Sequence, residues 1–128
     1  PMPRPLPLHA ILAVATTLCA TAVTADPYVI KGSCKLVVDG TTYLDMRNGT
    51  CPIWMENDGT GRFWINTDRD VYLGDYFAEV SPAGDGTAQA HWNGTPGATH
   101  AQGYLGDDLT MGAGGCWTGK RVTVCAAR

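Results

Sequence analysis

Between residues 91 and 100 the chain reads HWNGTPGATH, which sets His91, Trp92 and His100 around a turn rich in Gly and Pro. Imidazoles ligate metals, an indole stacks on a sugar, and the side chains of Thr95, Thr99 and His100 can donate hydrogen bonds to a partner. Two histidines nine residues apart make a poor metal signal, because a site needs three or four ligands with supporting geometry. Asn-Gly-Thr-Pro-Gly is a run of turn formers, so a connector between strands is the default for this stretch. A Gly/Pro-rich loop over residues 93–99 is also what a protein pushes into a partner's cleft. On that reading Asn93, Gly94, Thr95, Thr99 and His100 are the candidate binding residues.

Other chemistry is scarcer. The serines beyond the N-terminal segment, Ser33 and Ser81, do not sit in a nucleophile-elbow context. Carboxylates such as Asp107 with Asp108, or Asp75 near His91, carry no spacing that selects acid–base work over solvated turns. Asp68, Asp70 and Glu79 stand at positions 1, 3 and 12 of a calcium-loop count, but Leu73 occupies the sixth position, where that loop needs Gly. No catalytic residue, metal or cofactor is expected, and an enzyme is not the reading.

The elements that must position these residues are short and β-prone. All 16 glycines follow residue 26 and punctuate brief alternating runs, with no sustained helical period. Asp39-Gly40 predicts a two-residue hairpin turn with Val38 opposite Thr41 and Leu36 opposite Tyr43. In PIWMENDGTGRFWIN, a loop over 57–61 pairs Ile53 with Ile65, Trp54 with Trp64, Met55 with Phe63 and Glu56 with Arg62. Alternation then buries Ile53, Met55, Phe63 and Ile65 and turns both tryptophans and the ion pair to the other face. Trp54 and Trp64 are therefore candidates for a second layer of the fold, a homodimer interface or a glycan-binding surface. A third hairpin places Tyr76, Ala78 and Val80 on one face with Ala88, Ala90 and an inward Trp92, and pairs Asp75 with His91, Phe77 with Gln89 and Glu79 with Thr87. A fourth sets Cys116 against Cys125 and Trp117 against Val124. Four hairpins in sequence predict an all-β fold: a small antiparallel meander closed as a barrel or folded as a sandwich.

The first 25 residues read as a secretory signal. Arg4 precedes an apolar run from Ala10 to Val23, and Val-Thr-Ala before Asp26 resembles a cleavage site. That run is shorter than the roughly 20 residues a spanning helix needs, so no stable membrane anchor is expected. Residues 26–128 form a single β domain on this reading, and Cys19 is removed with the leader. Four cysteines remain, an even number in an exported chain, which predicts two disulfides. Three connectivities exist; Cys34–Cys51 with Cys116–Cys125 is favoured because each closes a local hairpin. Without Arg4 the chain has eight basic residues against twelve acidic ones, a net charge of −4. That balance argues against nucleic acid and suits a cationic partner or simple solubility.

The segments GSCKLVVDG, CPIWME, YFAEV, DGTAQAHWNGTPGATHA and CWTGKRVTVCA together resemble small exported proteins of Gram-negative bacteria, from Gly32 to Ala126. Trp92-Asn93-Gly94 is also similar to a Trp-x-Gly element of the periplasmic inhibitors of c-type lysozyme, although their Ser-Gly-x-x-Tyr signature is absent. That resemblance implies a disulfide-bonded β-barrel in the periplasm or outside the cell that inserts a loop into an enzyme's cleft. The inserted segment would be NGTPGATH, with Thr95, Thr99 or His100 hydrogen-bonding the target's catalytic carboxylates. The alternative is an envelope protein that dimerises or binds glycan through Trp54 and Trp64.

Overall fold

The computed structural model describes residues 2–5, 12–17, 25–68, 71–72 and 74–128. Most of the leader, Cys19 included, lies outside these residues, as do Asp70 and Leu73 of the calcium-loop count. Ten strands follow in order: β1 (Tyr28–Val38), β2 (Thr41–Met55), β3 (Phe63–Ile65), β4 (Thr67–Asp68), β5 (Val71–Tyr72), β6 (Ala78–Pro82), β7 (Thr87–Trp92), β8 (Gly103–Met111), β9 (Cys116–Thr118) and β10 (Val122–Ala127). Eight of them close a barrel in the order β1-β10-β9-β8-β7-β6-β3-β2, while β4 and β5 form a separate small ribbon. Antiparallel pairing of β1 with β10, Ser33 to Ala127 through Val38 to Val122, completes the closure. A barrel, not a sandwich, is thus the outcome, and closure leaves no free sheet edge between these strands. No helix among the described residues is long and apolar enough to cross a membrane.

Period-two alternation sends one row of side chains inward from every strand. Leu36, Ile53, Ile65, Val80, Ala90, Leu109 and Val124 are buried in a continuous core. Both disulfides form as the hairpin spacing favoured, Cys34–Cys51 and Cys116–Cys125. The first staples the base of an excursion of β2, where register jumps from Gly32 opposite Cys51 to Cys34 opposite Met46. Two closed disulfides suit an oxidising compartment.

The hairpin geometry follows its turn chemistry. Asp39 and Gly40 both take positive φ, 49° and 83°, which matches the strand twist and fixes Val38 opposite Thr41. A bulge then intervenes: Leu36 faces Leu44 rather than Tyr43, and the extra residue lets Tyr43 swing towards the barrel end. The hairpins Ile53–Ile65 and Cys116–Cys125 keep their predicted registers. The third does not. Ala78 pairs with Trp92, Glu79 with His91, Val80 with Ala90 and Ser81 with Gln89. Its turn centres on Asp85, because Gly84 and Gly86 supply positive φ there and the Asp85 carboxylate accepts from the Thr87 N–H and hydroxyl. Those bonds hold the Asp85 carboxyl below its ordinary range. The slip is an even number of residues, so the inward row is preserved while His91 moves opposite Glu79 instead of Asp75.

One barrel end is closed by aromatics. Trp92 lies inward, as alternation predicts, with ring centroids 4.8 Å from Tyr43 and 5.8 Å from Tyr76. Gly103 faces Trp92 across the ladder, and a Cβ there would stand 2.6 Å from the Trp92 ring. Only hydrogen fits. Gly103→Ala is expected to displace the indole from its tyrosines and cost about 1–3 kcal/mol, as overpacking does; thermal melting with near-UV circular dichroism checks this. Outside the plug, Arg121 pairs with Asp39 at 2.9 Å and donates to the Tyr104 carbonyl, which ties the β9–β10 turn to the β1–β2 turn and to β8 at that rim. The Arg121 hydrogen bond holds the Asp39 carboxyl below its ordinary range.

Candidate functional site

The stretch from Asn93 to His100 leaves β7 at the plugged end and returns to β8. Its shape starts with a turn: the Ala98 N–H donates to the Thr95 carbonyl at 3.1 Å. Pro96 supplies the fixed φ at the second position and Gly97, at φ 78°, the left-handed third, a type II signature. Gly97 N–H donates to the Asp75 carbonyl at 2.9 Å, which laces the turn to the segment before β6.

Asn93 organises the rest. It is only 8% exposed. Its Nδ2 lies 2.7 Å from the Asp75 carbonyl, 3.0 Å from that of Thr95 and 3.1 Å from that of Ala98. Its Oδ1 accepts the Phe77 N–H at 3.2 Å. An amide has two N–H donors, so three carbonyl acceptors mean that one hydrogen is shared. Every polar atom of this side chain is thus engaged inside the protein. In this structure Asn93 holds the loop and is itself shielded. A small amide with both donors and an acceptor is what the site requires, since a carboxylate could not donate and an aliphatic could do neither.

The residues around it face solvent. Gly94, Thr95, Pro96, Gly97, Thr99 and His100 are exposed. The structure thus presents Thr95, Thr99 and His100 together on one ordered, outward loop. His91 belongs to a different surface, half-buried beside the Tyr104 ring at 5.3 Å. Among the described residues, no group of three His, Cys, Asp or Glu side chains could hold a metal.

The tryptophan pair lies elsewhere, on the outer wall of β2 and β3. Trp54 and Trp64 stack with centroids 6.0 Å apart and planes at 24°. Comparison with protein-family models, curated proteins and solved structures returns no match for this chain. The geometry must carry the reading. Trp64 Nε1 donates to Glu56 at 2.8 Å, and Arg62 lies 3.2 Å from Glu79 and 5.8 Å from the Trp64 ring centroid. Phe77, expected outward opposite Gln89, is instead 2% exposed and packs on Trp64 at 6.1 Å. The pair is consequently half-covered by its own chain and bound into a charged network, while the Trp54 indole N–H is buried without an acceptor.

Sequence reasoning missed what fixes the loop. Asp75, Ala98 and Phe77 take part through backbone groups, which leave no residue-type signal. The one legible hint was the turn chemistry of Asn-Gly and Pro-Gly.

Proposed function

We propose that this chain is an exported binding protein, working in the periplasm or outside the cell, that engages a protein target through the loop from Gly94 to His100. The observation that carries this reading is the buried Asn93 amide, whose hydrogen bonds to Asp75, Phe77, Thr95 and Ala98 set an exposed loop in one conformation. A loop ordered before encounter loses little further entropy on binding, which is the physical requirement for tight insertion into a cleft. Thr95, Thr99 and His100 supply donors suited to carboxylates, and the acidic balance of the chain favours encounter with a basic target. The resemblance to periplasmic inhibitors points to c-type lysozyme as the target to test first.

The oxidised protein titrated into a c-type lysozyme assay is expected to inhibit at one-to-one stoichiometry. Thr95→Ala combined with His100→Ala removes two hydrogen bonds to charged groups, each worth about 1.5–3 kcal/mol, so inhibition should weaken at least roughly a hundredfold. Both side chains are exposed, and the melting temperature should stay unchanged. No binding at micromolar protein would sink the assignment against that target. The second reading, dimerisation or glycan binding through the stacked Trp54 and Trp64, is favoured instead if Trp54→Ala with Trp64→Ala abolishes self-association or glycan retention while the loop variants do not.

A further inference from the structure

The end of the barrel opposite the aromatic plug is open. Ile30, Ile53, Met55, Phe63, Met111 and Trp117 wall a cavity of about 510 Å³, within the range of small-molecule sites. Tyr43, Tyr76 and Trp92 fill the other end. Eight strands give a barrel wide enough to hold one small ligand when its interior is not filled. Two of the wall residues are methionines, whose unbranched, polarisable side chains adapt to irregular apolar shapes.

The polar features of this mouth are few. Thr60 and Arg128 line the rim beside apolar residues and glycines. Trp117, 8% exposed, forms part of the wall, and its indole N–H is buried without an acceptor. Apolar walls select a hydrocarbon body. We infer that the open mouth binds a small molecule with a hydrocarbon chain, its apolar body among Ile53, Met55, Phe63 and Trp117. This site is separate from the Asn93–His100 loop, which lies at the opposite end.

Dodecanoate and dodecanol, below their aggregation concentrations, are the probes, with calorimetry and ¹⁵N spectra of the oxidised full chain as readouts. Both probes are expected to bind once per chain and to shift the indole resonance of Trp117 but not those of Trp54, Trp64 and Trp92. Met111 is 59% exposed, so Met111→Glu should leave the fold intact while placing a carboxylate in the entrance; binding of both probes should fall at least about tenfold. Absence of saturable binding, or affinity unaltered by Met111→Glu, would overturn the site.

Discussion

Asn93→Ala is expected to lower folding stability by about 2–4 kcal/mol, a large effect for one side chain. The substitution removes the donations to Asp75, Thr95 and Ala98 and the acceptor of the Phe77 N–H together. The carbonyls at the exposed turn can rehydrate, which caps the loss. The Phe77 N–H lies on a residue 2% exposed, and a buried donor left unpaired costs about 1–3 kcal/mol by itself. Asn93→Asp sharpens the test. Its carboxylate keeps an acceptor for Phe77 but faces three carbonyl oxygens with no hydrogen to give, so it should be destabilised at neutral pH about as much as the alanine variant. Urea unfolding of the oxidised protein reads both: the midpoint should fall with the slope unchanged. A loss within about 0.5 kcal/mol, as for an ordinary surface substitution, would mean that this amide does not hold the loop.

The second large effect concerns the Cys34–Cys51 bridge. It spans 17 residues, and closing a loop of that size restrains the unfolded chain by about 3 kcal/mol. Both cysteines also belong to the core, 3% and 0% exposed, so Cys34→Ala with Cys51→Ala forfeits packing around two sulfurs as well. The bridge further pins the register jump between β1 and β2, where four residues, 47–50, leave the ladder. The double variant should therefore lose about 3–4 kcal/mol and melt at least roughly 10 °C lower. Cys116–Cys125 spans only 9 residues and joins strands already paired as a hairpin. Its removal should cost less. Equal losses from the two double variants would contradict this ranking.

What was legible in the sequence was local. Asp39-Gly40 sets its own turn, and the pairs Trp54–Trp64 and Cys116–Cys125 fall opposite each other once the loop between them is counted. The inward row was readable even where the register was not, because the slip at β6–β7 preserved parity. That slip arose at Pro82-Ala83-Gly84-Asp85-Gly86, which offers two turn centres differing only in where positive φ falls. Barrel and sandwich could not be told apart, since the deciding contact, β1 with β10, joins strands some 90 residues apart in sequence. The loop's exposed residues were visible as types, but the role of Asn93 was not, because its acceptors are backbone carbonyls contributed by Asp75 as well as by its own turn. Nor could alternation show that side chains fill one barrel end with Tyr43, Tyr76 and Trp92 and leave the other open.

The most direct measurement of the central claim is a titration of ¹⁵N-labelled oxidised protein with unlabelled c-type lysozyme, followed by backbone and indole resonances. The loop assignment requires that Gly94, Thr95, Gly97, Ala98, Thr99 and His100 shift or broaden first, with the indoles of Trp54, Trp64 and Trp117 unmoved. Perturbation centred on Trp54 and Trp64, or no perturbation at equimolar lysozyme, would contradict it.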